Sequence, residues 1–98
     1  MKAEMYSVNF WVSDTDPQRL KLSINRGLTT SGFEVLKFVE HHFKPFGFTG
    51  LWLLSESHLA VHTFPEEKRT YIEISSCVPD PYFKFLNYVN STFRTKKL

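Results

Sequence analysis

Residues 48–76 carry the sequence FTGLWLLSESHLAVHTFPEEKRTYIEISS. Within it, three runs rich in apolar and β-branched residues predict three β-strands. Two short polar segments separate the runs, Ser55 to His58 and Pro65 to Lys68. Connections this short join antiparallel neighbours, so the stretch predicts an antiparallel meander. The predicted strands are 48–54, 59–64 and 69–76.

The residues before the meander predict a strand, a short helical turn and a helix. Met5 to Val12 are rich in aromatic and branched residues without helical spacing, which indicates a first strand. Asp16-Pro17 is typical of a helix start, and a short helical turn is expected at 18–22. The capping-box pattern of Ser31 to Glu34, with apolar residues following at helical spacing, predicts a helix at 32–43. Those apolar residues are Leu36, Val39 and Phe43.

The residues after the meander predict a final helix. Asp80-Pro81 is a second helix start, and a stripe of apolar residues follows it at helical spacing. The stripe comprises Tyr82, Phe85, Leu86, Val89 and Phe93. The resulting order, β-α-β-β-β-α, predicts an α+β fold in one domain spanning 1–98. We expect a two-layer α/β sandwich, with both helices on one face of a mostly antiparallel sheet.

Strand alternation assigns the two faces of this sheet. The inward set, expected to face the helices, is Leu59, Val61, Ile72 and Ile74. The outward set is His58, Ala60, His62, Tyr71, Glu73, Ser75 and Cys77. The outward face therefore carries polar side chains of chemically reactive types. It is either solvated or covered by a second copy of the chain.

Composition excludes several classes of protein. The formal net charge of +2 comes from scattered residues, with a small basic cluster of Arg94, Lys96 and Lys97. This charge is too weak to indicate nucleic acid binding. The start of the chain, Met1 to Glu4, leads into no apolar signal segment, and no stretch is long enough to span a membrane. A soluble, cytoplasmic protein is expected.

The cysteine and histidine residues predict neither a disulfide within the chain nor a metal site. Cys77 is the only cysteine, which excludes an intramolecular disulfide. His58 and His62 have no third ligand at a recognisable zinc spacing, so no metal site is predicted. Ser57 lies between Glu56 and His58, without the glycine pattern of a hydrolase nucleophile.

A longer pattern does indicate a chemistry. Glu56-Ser57-His58 is followed by His62-Thr63-Phe64-Pro65-Glu66 and then, at the end of a later strand, by Cys77. Pro45-Phe46-Gly47-Phe48-Thr49-Gly50 precedes them. This constellation, over residues 43–77, resembles the prokaryotic type of S-adenosylmethionine decarboxylase.

The resemblance implies a proenzyme that cuts itself between Glu56 and Ser57, leaving chains 1–56 and 57–98. Ser57 would become a pyruvoyl group, whose carbonyl forms a Schiff base with the substrate amine and accepts electrons as carbon dioxide leaves. No external cofactor is then needed. The substrate implied is S-adenosylmethionine, and the product is the aminopropyl donor for spermidine synthesis.

The resemblance also implies roles for five further residues. His62 would assist processing as a base or polarising group, and Cys77 would protonate the substrate carbanion. Glu66 would bind the ribose hydroxyls, Phe43 would stack on the adenine, and Thr49 would line the site. Members of this family pair as homodimers whose sheets face each other, with the sites near the interface.

The strand register allows one independent test of this reading. If Phe64 faces Arg69, Cys77 lies opposite Glu56, beside the predicted cut. His62 fits less well, because five residues of straight strand separate it from Ser57 by about 16 Å. We therefore expect the chain to turn between Ser55 and His58.

Two departures from the family pattern leave alternatives open. The first strand has Tyr6 to Trp11 in place of the family's Gly-Lys-His and Tyr-Gly-Cys elements, and Val78 follows Cys77 where glycine is usual. One alternative is a pyruvoyl decarboxylase of another amino acid, such as arginine or ornithine. Another is a homologue that does not process and binds S-adenosylmethionine or a partner, and a third is a structural dimerisation domain.

Overall fold

A computed structural model describes residues 4–93 and 95–96. Met1 to Ala3 lie outside the described residues, as do Arg94 and Lys97 of the predicted basic cluster. The elements in chain order are β1 (Tyr6–Val12), α1 (Pro17–Ser31), β2 (Val35–His42), β3 (Phe48–Leu54), β4 (Ser57–Phe64), a 3-10 turn (Pro65–Glu67), β5 (Arg69–Ser76), α2 (Pro79–Thr92) and β6 (Thr95–Lys96).

The strands form one antiparallel sheet in the order β2-β3-β4-β5-β1-β6. The predicted meander is confirmed as β3, β4 and β5, although β4 begins two residues earlier than expected, at Ser57. The predicted first strand is also confirmed, as β1, which pairs with β5.

Both helices cover the same face of the sheet, which confirms the α+β two-layer sandwich. The predicted inward residues of β4 and β5 are fully buried. They pack with Leu20, Ile24 and Leu28 of α1 and with Phe85 and Val89 of α2. Since burying one large apolar side chain contributes about 1.5–3 kcal/mol, this layer of contacts stabilises the fold.

The helix predicted at 32–43 is wrong. Gly32, with φ 102°, is the C-cap of α1, and its N–H donates to the carbonyls of Leu28 and Thr29. A glycine adopts this left-handed conformation without a steric cost, so it ends a helix here instead of opening one. The chain continues as β2, on which Leu36 and Val39 are more than half exposed.

The first helix is longer than the predicted turn and runs over Pro17–Ser31. Asp16 caps it as expected, its side chain accepting a hydrogen bond from the N–H of Arg19 at 2.9 Å. Its buried residues Leu20, Ile24 and Leu28 recur every four positions and form the stripe that the sequence reading missed.

The last helix, α2, is confirmed in type, but it begins at Pro79. Asp80 lies in its first turn and not at its N-cap, a position that Val78 occupies without a side-chain hydrogen bond. Instead, the N–H of Val78 donates to Ser76 Oγ at 3.0 Å. The end of β5 therefore fixes the start of α2.

Candidate functional site

The turn between β3 and β4 presents the Glu56–Ser57 peptide at one end of the sheet. Glu56 occupies this turn with φ 61°, a left-handed conformation that costs a residue other than glycine about 1–2 kcal/mol. Ser57 follows as the first residue of β4. Backbone strain of this kind clusters at functional sites, and here it lies at the predicted cut.

The carbonyl oxygen of Glu56 accepts two hydrogen bonds from one residue. The backbone N–H of Cys77 donates to it at 3.4 Å, and the Cys77 thiol donates at 3.3 Å. The pairs Phe64 with Arg69 and Ser57 with Ser76 confirm the register that predicted this contact. Two donors on one carbonyl polarise it and stabilise the oxyanion that forms when a nucleophile attacks.

The Ser57 hydroxyl lies on the helix-covered side of the sheet. The residue is 7% exposed and donates a 2.7 Å hydrogen bond to Ser76 Oγ. Sequence reasoning missed Ser76, although the predicted register already places it opposite Ser57. Glu56, Ser57, Ser76 and Cys77 are together called the Ser57 cluster below.

His62 is not part of the Ser57 cluster. The turn is confined to Ser55 and Glu56, and β4 runs without interruption from Ser57 to Phe64. The expected turn is therefore present, at Ser55 and Glu56, but it does not bring His62 to the cut. His62 lies five residues along the strand, about 16 Å away, and on the opposite face.

Two neighbouring strands hold the His62 imidazole in place. Its Nδ1 is 2.9 Å from Thr49 Oγ1 on β3. On β5 the ring of Tyr71 stacks on it at a centroid distance of 6.2 Å. Burial raises the pKa of Tyr71, and the charge of Glu73 and its 3.2 Å hydrogen bond with the phenol raise that pKa further. A neutral phenol therefore lies beside the imidazole.

The remaining predicted site residues lie at the same end of the sheet as His62. Phe43 is half exposed in the turn between β2 and β3, where its N–H donates to the carbonyl of Gly47 at 2.8 Å. Glu66 is exposed in the 3-10 turn that joins β4 to β5. Phe43, Thr49, His62 and Glu66 are together called the distal cluster. The predicted site is thus divided between two ends of the sheet.

The sheet face away from the helices carries exposed apolar residues between the two clusters. Val39 of β2 and Leu51 and Leu53 of β3 are each about half exposed or more. A cavity of about 440 Å³ lies elsewhere, lined by residues of α1 and the end of α2 that include Arg19 and Arg26, and it contains no residue of either cluster.

Clusters of metal-ligating side chains and membrane-spanning helices are both absent from the part of the chain that the structure describes. Across residues 4–93 and 95–96, no group of three or more potential ligand side chains comes together as a metal site. No helix among these residues is long and apolar enough to span a bilayer.

Comparison with known proteins identifies relatives of this chain. The family model described as S-adenosylmethionine decarboxylase matches residues 2–98. The S-adenosylmethionine decarboxylase proenzyme of Carboxydothermus hydrogenoformans is 33% identical, over 96% of this chain and 74% of that protein. The proenzyme of the same name from Parasynechococcus marenigrum is 36% identical, over 65% of this chain and 55% of that protein. The chain thus matches little more than half of the latter relative's length.

A solved structure has the same fold. The crystal structure of the adenosylmethionine decarboxylase from Aquifex aeolicus VF5 superposes with a TM-score of 0.77 at 17% sequence identity. The match covers 98% of this chain and 88% of that one. The sandwich described above is therefore an architecture that the two proteins share.

Proposed function

The chain belongs to the S-adenosylmethionine decarboxylase family, and on that basis we propose that it is a proenzyme that cleaves itself between Glu56 and Ser57. The pieces would be 1–56 and 57–98, and the mature protein would decarboxylate S-adenosylmethionine to the aminopropyl donor for spermidine synthesis. The observation that carries the proposal is the Glu56 carbonyl, which accepts both donors of Cys77 next to the Ser57 hydroxyl.

The first step uses only groups of the Ser57 cluster. Ser57 Oγ attacks the Glu56 carbonyl carbon, a C–O bond forms, and the C–N bond of the peptide breaks. The hydroxyl proton ends on the released amine, so the step is an isomerisation from amide to ester. Cys77 stabilises the developing oxyanion through its N–H and thiol.

The next steps convert Ser57 into the cofactor. Removal of its α-proton eliminates the Glu56 carboxylate and leaves dehydroalanine, and addition of one water with loss of ammonia gives the pyruvoyl group. That group supplies the electron sink for decarboxylation. The Ser57 cluster fits its formation, because the serine begins a strand directly after a residue with a left-handed backbone and a carbonyl that accepts two hydrogen bonds.

The remaining predicted residues act on the substrate. Cys77, which lies beside the cut, would donate a proton to the substrate carbon after carbon dioxide leaves. Glu66 would accept hydrogen bonds from the ribose hydroxyls, Phe43 would stack on the adenine, and Thr49 would line the pocket. All of these but Cys77 belong to the distal cluster.

A homodimer would bring the two clusters together. They lie at opposite ends of the sheet, so two facing sheets related by a two-fold axis that runs across the strands would place each Ser57 cluster near the distal cluster of the other copy. The exposed Val39, Leu51 and Leu53 give this face apolar area to bury. In this arrangement His62 would assist the cleavage of the second copy from the outer face, on the side of the Cys77 thiol and the Glu56 carbonyl that it contacts and opposite the inward Ser57 hydroxyl.

Mass spectrometry of the intact, denatured chain tests the central claim. We expect the wild type to yield two masses divided between Glu56 and Ser57, with the C-terminal piece lacking a free amine. Ser57→Ala should stay a single chain of 11.5 kDa, while Ser55→Ala, two residues earlier in the same turn, should cleave normally. A wild type that remains intact after long incubation would contradict the proposal and favour a binding homologue.

The substrate is tested separately on the cleaved protein. Carboxyl-labelled S-adenosylmethionine should release labelled carbon dioxide, while labelled arginine and ornithine should not. Release from arginine or ornithine alone would leave self-cleavage intact but replace the substrate. Glu66→Gln should raise KM for S-adenosylmethionine more than it lowers kcat, because the residue is assigned to binding.

A further inference from the structure

We infer that Ser76 is a positioning residue for the Ser57 nucleophile. The inference rests on the proposed self-cleavage and adds to it a residue that neither the sequence motif nor the family resemblance assigns. It follows from the contact between the two hydroxyl groups and from what surrounds them.

The contact between Ser57 and Ser76 is short and shielded from solvent. The two oxygens are 2.7 Å apart, and the residues are directly opposite each other on β4 and β5. Ser76 is 0% exposed and Ser57 is 7% exposed. Water does not compete for a hydrogen bond in such a place, so the bond fixes the rotamer of the Ser57 side chain.

Val78 fixes the direction of this hydrogen bond. The N–H of Val78 donates to Ser76 Oγ at 3.0 Å, and the Ser76 hydroxyl donates to the Val78 carbonyl at 3.4 Å. The single proton of Ser76 is thereby engaged, so Ser76 Oγ accepts from Ser57. The Ser57 proton points at Ser76, and the lone pairs of its oxygen remain available to the Glu56 carbonyl carbon.

This arrangement serves the amide-to-ester step. Attack requires the Ser57 oxygen to be held beside its own preceding carbonyl with its proton directed elsewhere. Ser76 fixes the rotamer of the Ser57 side chain and accepts its proton in a hydrogen bond, while Cys77, the next residue in the chain, holds the carbonyl oxygen. The end of β5 thus aligns the Ser57 oxygen through Ser76 and the Glu56 carbonyl through Cys77. Ser76 takes up no net proton in this step.

A matched pair of variants isolates the hydroxyl group. Ser76→Thr and Ser76→Val introduce side chains of almost the same shape, but only threonine keeps a hydroxyl. We expect Ser76→Thr to cleave within about twofold of the wild-type rate and Ser76→Val to cleave about 10- to 100-fold more slowly, a typical loss for a misplaced reacting group. The control is Ser75→Val, which removes the outer-face Ser7–Ser75 hydroxyl pair of 2.9 Å and should leave cleavage unchanged.

Hydroxylamine distinguishes this role from a merely structural one, because it cleaves esters but not ordinary peptide bonds. Ser76→Val should resist cleavage in hydroxylamine as well, since the ester itself fails to form. Thermal melts of both variants in a Ser57→Ala background measure the structural cost, which the matched shapes should make similar.

The outcomes separate the two proposals. If the wild type cleaves and Ser76→Val cleaves equally fast, Ser76 has no positioning role and self-cleavage still stands. If Ser76→Val accumulates an ester that hydroxylamine cuts, Ser76 acts after the first step, and the inference is also overturned. If the wild type stays intact with and without hydroxylamine, the proposed function fails and the inference fails with it.

Discussion

Glu56 and Lys68 are the described non-glycine residues with positive φ, and they lie in the turns at either end of β4. Their φ angles are 61° and 57°. The two residues carry the same kind of backbone strain, but only Glu56 is at the predicted cut. Lys68 therefore provides an internal reference for the effect of strain alone.

Replacing each residue by glycine should separate stability from chemistry. In a Ser57→Ala background, Glu56→Gly and Lys68→Gly should each raise the free energy of unfolding by about 1 kcal/mol, because glycine adopts this conformation without a clash. In the cleavable chain, Glu56→Gly should slow cleavage about fivefold, which is the kinetic equivalent of 1 kcal/mol. Lys68→Gly should not change the cleavage rate.

Urea denaturation and intact-mass time courses measure the two effects. A Glu56→Gly chain that gains stability and still cleaves at the wild-type rate would show that the strain belongs to the turn and plays no part in the reaction. If Lys68→Gly slowed cleavage as much as Glu56→Gly does, the cause would be the general rigidity of β4 and not the strain at Glu56.

The Ser57 cluster was predictable from the sequence in part. The motif and the hairpin register together placed Cys77 beside Glu56, because a four-residue turn leaves little freedom in how two strands align. Ser76 was missed because a polar residue at the end of a strand is usually solvated. Its burial depends on α2 starting only three residues later, at Pro79, which local sequence does not reveal.

At the scale of elements, Gly32 shows why one helix was misplaced. Ser31-Gly32-Phe33-Glu34 satisfies the pattern of a helix start, but the same glycine also satisfies that of a helix end. The described fold uses the second option, since α1 buries three residues spaced four apart while Leu36, Val39 and Phe43 stay exposed. Those three residues lie on β2 and in the turn after it, where side chains at helical spacing do not share one face.

Gly27 explains why α1 was hard to recognise and how it packs. A Cβ built on this glycine would lie 2.5 Å from the ring of Tyr88 on α2. The ring cannot move away freely, because the Tyr88 hydroxyl donates to the carbonyl of Ser23 at 2.8 Å. Glycine in mid-helix lowers helix propensity, and here it permits the close approach of the two helices.

The Gly27→Ala substitution should therefore destabilise the chain, although alanine favours helices. We expect a loss of about 1–3 kcal/mol from overpacking, which exceeds the gain of about 1 kcal/mol in propensity. In a Tyr88→Leu background, which removes the ring, the same substitution should be neutral or stabilising. Urea denaturation of the four chains gives the coupling energy, and additive effects would refute the contact as the reason for glycine.

At the scale of the whole molecule, a single chain cannot join its two clusters. The sheet is continuous and antiparallel throughout, so the Ser57 cluster and the distal cluster stay at opposite ends. The turn expected between Ser55 and His58 does not shorten this separation, because β4 runs straight from Ser57 to Phe64. The strand is regular because its inward residues Leu59, Val61 and Thr63 are all buried, and a bend would expose them.

Mixing two inactive variants tests whether a second copy supplies His62. Ser57→Ala chains lack the nucleophile but retain His62, whereas His62→Ala chains retain the nucleophile. If His62 acts across the dimer, mixed dimers should restore cleavage of the His62→Ala chain, which intact mass distinguishes from its partner. Complementation should require refolding the two chains together, because dimers that have already formed do not exchange their faces freely.

The doubly substituted chain, Ser57→Ala with His62→Ala, is the matched partner that should not complement. If the His62→Ala chain stays intact in a mixture that demonstrably contains mixed dimers, while the wild type cleaves, His62 has no role across the interface. If His62→Ala alone cleaves at the wild-type rate, His62 has no role in processing at all. Because the His62→Ala chain has no imidazole at this position, restored cleavage in the mixed dimer would come from His62 of the Ser57→Ala copy. The wild-type chain has the same need for a second copy, since its own His62 lies about 16 Å along β4 from Ser57 and on the other face.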